Sequence, residues 1–163
     1  MTDERLIGED DLLPQFSLTT PEGRVLTLDD LAGRPAVLFF YPKDDTPGCT
    51  SETRDFSDLR PEFDRIGVTL LGISKDSADR HRKFIAKHGL HVPLATDLAA
   101  HGLSDALGIW VDKSMYGRTY KGMSRTTYLV DAAGRIVRMW RKVRVKGHAA
   151  EVFAAAQSFY SKG

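Results

Sequence analysis

The chain is nearly without sulfur chemistry: Cys49 is the single cysteine in 163 residues, so no internal disulfide can form. Net charge of one sign is missing too. Lys and Arg number 23 against 22 Asp and Glu, a formal +1, which argues against a dedicated binder of nucleic acid or another polyanion. No window approaches the roughly 18 apolar residues that span a bilayer. The opening MTDERLIGEDDLLP is acidic and lacks the basic, apolar and small-residue regions of a secretory signal. With the lone cysteine this sets an expectation of a reducing compartment, the cytoplasm. The five histidines, His81, His88, His91, His101 and His148, lack the paired spacing of a zinc site and have no second cysteine to join, so no metal is expected and surface or capping roles are.

What is present is ordinary for a globular protein, with 42% hydrophobic and 28% charged residues, enough for one domain over residues 1–163 with a core that needs no staples. Gln15–Thr19 and Arg24–Leu28 flank Thr20-Pro21-Glu22-Gly23 and read as an N-terminal β-hairpin. Ala36–Tyr41 and Val68–Ile73 are apolar runs of the kind a strand covered on both faces requires. Between them Phe56, Leu59, Phe63 and Ile66 recur at helical steps, with Pro61 predicting a kink or restart and Gly67 a C-cap. Asp76-Ser77 caps a helix through Lys87, Gly89 follows it, Val92–Leu94 is a short strand, and a short helix is expected over Ala99–Leu107. Thr126–Val130 and Arg135–Trp140 form a hairpin across Asp131-Ala132-Ala133-Gly134. A last helix carries Val152, Phe153, Ala156, Phe159 and Tyr160 on one stripe. Such an order predicts an α/β fold, a central mixed sheet flanked by helices.

Cys49 follows the apolar run and a Pro/Asp/Gly turn, and helix follows it. Its sulfur therefore falls in a first helical turn, among N–H groups without intrahelical partners, where thiolate is favoured over thiol. Pro42, Thr46 and Cys49 form P-x-x-x-T-x-x-C: the proline can wall the sulfur from water, and the threonine hydroxyl can donate and accept. A thiolate also needs positive charge. Arg125, in Gly122-Met123-Ser124-Arg125-Thr126-Thr127, begins a predicted strand that can aim it at the helix N-terminus. Glu52, three residues after Cys49 on the same helical face, can hold the guanidinium by a bidentate pair.

FFYPKDDTPGCTSE followed by GMSRTTYLVD resembles the peroxiredoxins, specifically the peroxiredoxin Q or bacterioferritin comigratory protein branch. The resemblance runs over nearly the whole chain, including Gly72-Ile73-Ser74, Pro93-Leu94-Ala95-Thr96-Asp97 and Lys146-Gly147-His148. It implies a thioredoxin-like fold, Cys49 as the peroxidatic cysteine, and Pro42, Thr46 and Arg125 as its pocket. Many branch members carry a resolving cysteine five residues later or in the following helix. Here those places hold Arg54 and Ser77–His88, with no sulfur, so a one-cysteine mechanism is implied. The implied activity is reduction of hydrogen peroxide and organic hydroperoxides without cofactor, with recycling by an outside thiol: thioredoxin, glutathione with glutaredoxin, or another small thiol. The branch also implies a monomer or weak homodimer.

Residue types alone carry plainer readings. A lone cysteine is commonly a small buried hydrophobe, Thr46 an N-cap with Pro47 at N1, Arg125 a surface arginine and Glu52 a solvated helix residue. The basic stretch Arg135–Lys146 reads as a strand edge guarded by charge. Trp110, Tyr116 and Tyr120 line a pocket mouth or belong to the core. Two rival functions stand beside the peroxidase, a Cys–His hydrolase and a thioredoxin-fold sensor oxidised once without turnover.

Overall fold

The computed structural model describes residues 7–98 and 102–160. Its elements are β1 (Ser17–Thr19), β2 (Val25–Thr27), α1 (Leu28–Leu31), β3 (Ala36–Phe40), α2 (Pro47–Arg65), β4 (Thr69–Ser74), α3 (Ala78–His88), β5 (Leu94–Thr96), α4 (Leu103–Ala106), β6 (Trp110–Met115), β7 (Arg118–Met123), β8 (Thr126–Val130), β9 (Ile136–Trp140) and α5 (His148–Tyr160). One mixed sheet has the order β2-β1-β5-β4-β3-β8-β9. Strand β3 lies parallel to β4 and antiparallel to β8, and β4 is parallel to β5. The expected N-terminal hairpin is β1–β2.

Both faces of β3 are buried, the physical reason its sequence is a continuous apolar run. Alternation sends Leu38 and Phe40 to one core, with Phe16, Leu103, Leu107 and Ile109, and Val37, Phe39 and Tyr41 to the other, with Phe56, Phe63, Val152 and Ala156 of α2 and α5. Phe39 stacks on Phe56 at 4.3 Å between ring centroids, and Phe63 meets Phe153 edge-on at 5.1 Å. Those contacts clamp α2, and hence its first turn, onto the sheet. Gly72 is required on β4 because a Cβ there would sit 2.6 Å from the Phe39 ring.

Most expected elements are present, with differences that have causes. Helix α2 runs through Pro61 without ending; Pro61 removes a donor to Ser57 carbonyl, but the clamped apolar face offsets that loss. Beyond it Gly67 (φ 73°) closes the helix, its N–H bonded to Asp64 carbonyl and that of Val68 to Phe63 carbonyl. Ser77 caps α3 by accepting from Arg80 N–H, and Gly89 ends it in the left-handed region. The strand expected over Val92–Leu94 begins at Leu94, since Pro93 precedes it without an N–H for the ladder. Part of the helix expected over Ala99–Leu107 lies outside the described residues, and α4 covers Leu103–Ala106.

The hairpin β6–β7 has no counterpart in the sequence reading. Its strands pair only with each other and are largely exposed, so they lack the one-sided alternation that marks a half-buried strand. Trp110 packs against the core with Lys75 Nζ 5.1 Å above its ring, whereas Tyr116 stands exposed at the hairpin turn and Tyr120 is 44% exposed. Strand β9 is last in the sheet order and carries Arg138, but the guarded-edge reading is corrected for the rest: Arg135 precedes the strand and bridges to Leu12, Ile136 bonds to Asp10 and Asp11 so that this end of the edge is covered by backbone, and Arg141–Lys146 lies beyond it in a loop. No helix among the described residues is long and apolar enough to cross a membrane.

Candidate active site

Sheet register assembles the site. Phe40, the last residue of β3, pairs with Thr126, the first of β8. The residue before Thr126 therefore lies beside the loop that leaves β3 for α2, and that residue is Arg125. Arg125 Nη2 is 3.4 Å from Cys49 Sγ, and Lys43 N–H donates to the same sulfur at 3.5 Å. Cys49 is only 1% exposed. Thr50 N–H is the first to bond back, to Thr46 carbonyl at 2.8 Å, leaving the N–H of Gly48 and Cys49 without intrahelical acceptors. Gly48 gives the guanidinium room, since a Cβ there would lie 3.4 Å from Nη2.

Thr46 is the N-cap by position and Pro47 opens the helix, but the Thr46 side chain makes no capping bond. Its hydroxyl donates to Lys43 carbonyl at 2.8 Å. Its lone pairs and its aim are thus set by the loop, so the reading of Thr46 as a side-chain N-cap is corrected. Pro42 is half-buried on the same loop.

Glu52 is not a solvated helix residue. It is 1% exposed and accepts from Arg125 Nη1 at 2.6 Å through Oε1, while Oε2 has no partner among the described residues. The pair is single-stranded, not bidentate, because Arg125 spends its other terminal nitrogen on the sulfur. Burial pushes the Glu52 carboxyl up to about 7, outweighing the pull of Arg125 in the other direction. Burial also works against the Arg125 charge, but Glu52 and Cys49 more than offset it and hold the guanidinium protonated.

Two features escaped the sequence reading. Lys43 supplies a backbone donor, invisible in residue type. Lys113 Nζ, on β6, donates to Met123 carbonyl at 2.7 Å, and burial, then the Arg125 charge, push its ammonium down while Cys49 pulls it up. It is a second cation within electrostatic reach of the thiol. The missed hairpin is what brings it there.

The histidine expectation is corrected for two residues. His81 is fully buried, with Nδ1 2.6 Å from Asp44 Oδ2 and Nε2 facing Ala95 carbonyl at 3.1 Å. A carbonyl can only accept, so Nε2 carries a proton. Asp44 also accepts from Tyr41 hydroxyl, and its N–H donates to Asp76, so this network anchors the loop before Cys49. His148 is buried at the start of α5, its Nε2 2.8 Å from Thr127 Oγ1, and burial pushes it down to about 4. His88 binds Asp45 on the surface at 2.8 Å, and His101 lies outside the described residues.

A lone thiol at a helix start, beside a mixed sheet of this order and under an arginine, defines a thioredoxin-like thiol enzyme. The AhpC/TSA family model matches residues 10–139, and the chain belongs to that family, as a peroxiredoxin of the Q or Bcp branch. Peroxiredoxin Bcp of Xanthomonas campestris is 44% identical over 86% of this chain and 88% of its own. That of Bacillus subtilis is 40% identical over 91% and 94%. A solved structure of Xanthomonas campestris peroxiredoxin Q matches with a TM-score of 0.85 at 41% identity, covering 98% of this chain and all of that one, 100%.

Proposed function

We propose that this peroxiredoxin reduces hydrogen peroxide and organic hydroperoxides by a one-cysteine mechanism. The observation that carries the reading is Arg125 Nη2 at 3.4 Å from the only cysteine. Thiolate Cys49 attacks one peroxide oxygen in line. Arg125, the Cys49 N–H and the Thr46 hydroxyl hold the two oxygens, Thr46 by accepting from the peroxide O–H because its own proton goes to Lys43 carbonyl. Arg125 and the N–H stabilise charge building on the leaving oxygen, while Pro42 keeps water from the sulfur. Water or an alcohol departs, and Cys49 becomes a sulfenic acid. An outside thiol, supplied by thioredoxin, by glutathione with glutaredoxin or by another small thiol of the cytoplasm, restores it through a mixed disulfide.

Two relatives support the parts of this reading. The bacterioferritin comigratory protein of Xanthomonas campestris has been solved in connection with its alkyl peroxide reduction activity. Its peroxiredoxin Q has been solved with either of two cysteines changed to serine, whereas this chain has one. The hydrolase reading loses support because the hydrogen-bond partners of the Cys49 sulfur among the described residues are Arg125 Nη2 and Lys43 N–H, and neither is a histidine. The deciding experiment is peroxide consumption with each reductant system in turn. Many turnovers per protein with at least one system are expected; a single turnover with all of them leaves the sensor as the function.

A further inference from the structure

The loop between β9 and α5 carries Arg141, Lys142, Arg144 and Lys146, all exposed. It walls a cavity of about 300 Å³ together with Trp140 and Glu151. Lys146 also walls the adjoining depression with Pro47, Gly48 and Ser51, the first turn of α2 that carries Cys49. The loop is tied to the site by backbone, since Val143 N–H donates to Arg125 carbonyl at 3.1 Å. Arg141 reaches Ile7 carbonyl at 3.4 Å, but no ion pair of Lys142, Arg144 or Lys146 is found among the described residues. The carboxylates on these walls are Glu151 and Asp55, fewer than the cations. Lys142 holds φ 48°, a left-handed backbone that a lysine adopts at a cost. Guarding a strand edge explains none of this, because the loop is not part of the strand.

Resting on the one-cysteine reading above, we propose that this loop binds the carboxylates of a small anionic thiol and delivers its sulfur to the oxidised Cys49. The cations suit a molecule with two or more carboxylate groups, and Lys146, which walls both the cavity and the depression beside Pro47, Gly48 and Ser51, bridges to the helix turn that carries the reacting sulfur. The thiolate attacks Cys49 sulfur, the S–O bond breaks, and the hydroxide leaves as water after taking one proton. A mixed disulfide remains. A second thiolate attacks the small molecule's sulfur and releases Cys49 thiolate, so two thiols lose two electrons together and the sulfenic acid gains two. The cationic loop acts on these steps alone, since hydrogen peroxide has no carboxylate to hold.

The test separates the half-reactions in the full-length protein. Pre-oxidised protein is reduced by mercaptosuccinate, which carries two carboxylates, or by neutral 2-mercaptoethanol, for wild type and for K142A/R144A/K146A. The triple variant is expected to slow mercaptosuccinate about tenfold at low ionic strength and to leave 2-mercaptoethanol and the peroxide step within twofold. Added salt should erase the difference, and charge reversal at Lys146 alone should move the rate the same way. Equal losses with both thiols, or no loss with either, overturn the proposal. A loss confined to a carboxylate-bearing hydroperoxide in the oxidation step overturns it too, by assigning the loop to the oxidant. If no sulfenic acid forms in wild type, the one-cysteine reading fails first, and direct competition of succinate with mercaptosuccinate labelling of Cys49 through a preformed activated disulfide still decides the loop.

Discussion

Arg125 bridges Cys49 and Glu52, with one terminal nitrogen 3.4 Å from the sulfur and the other 2.6 Å from a carboxylate that is 1% exposed. The guanidinium is thereby held by a buried carboxyl group on the same helix turn that carries the thiol. Arg125→Ala should lower the second-order rate of peroxide reduction about a hundredfold or more, the worth of one preorganised donor at a developing charge. Arg125→Lys should recover only part, since an ammonium cannot reach both partners as a planar fork does. Stopped-flow oxidation rates measure both. A loss of only a few-fold for alanine would sink the role.

The Glu52 carboxyl predicts a pH signature in stability. Its folded value near 7 lies above the unfolded 4.5, so the native state holds the proton more tightly, and the stabilisation present below 4.5 is lost as pH rises through 7. Glu52→Gln mimics the protonated form and lacks this loss. The variant should gain on wild type by about 3 kcal/mol between pH 4.5 and 7.5, at 1.36 kcal/mol per pH unit. His148, pushed down from 6.5 to about 4, acts oppositely: its contribution is full above 6.5 and is lost as pH falls toward 4. The two slopes partly cancel in wild type, so the difference between urea curves of the two proteins is the quantity to measure. A constant difference across the window rules the assignment out.

Thr46 separates capping from catalysis. Because its hydroxyl donates to Lys43 carbonyl and makes no cap bond, Thr46→Val should cost less stability than the typical ~1 kcal/mol of a lost N-cap. Peroxide reduction should nonetheless fall about tenfold or more, with Thr46→Ser close to wild type. Thermal melts and oxidation rates on the same samples check this. A large stability loss with unchanged rate would return Thr46 to a structural role.

With no other sulfur nucleophile in the chain, peroxide alone should add one oxygen to Cys49. Dimedone should trap it, and excess peroxide should carry it to sulfinic acid. Cys49→Ser should abolish both mass changes. Protein that runs mainly as a covalent dimer after peroxide would contradict the expectation.

Arg54 lies five residues after Cys49 in a continuous helix, which places their Cα atoms about 8.6 Å apart. A disulfide needs less than about 7 Å. Arg54→Cys should therefore form an internal bond after oxidation only with loss of helix, seen by circular dichroism. A bond formed with the helix intact refutes the geometry.

Much of this was legible from residue order. The apolar run Ala36–Tyr41, the turn after it and the helical spacing of Phe56 and Phe63 placed Cys49 at a helix start, because strand and helix periods are local properties of the chain. Pro42, Thr46, Arg125 and the absence of a resolving cysteine were equally plain in the motifs. The tertiary structure decided the rest. Whether Arg125 is a surface cation or a partner of the sulfur depends on Phe40 pairing with Thr126, a register between distant segments. Glu52 became a buried carboxyl group paired with Arg125, and His81 and His148 became interior groups, only when the helices closed on the sheet. The same closure made the basic run after β9 the wall of a cavity that shares Lys146 with a depression at the first turn of α2, since no local periodicity records which exposed charges face one another across a fold.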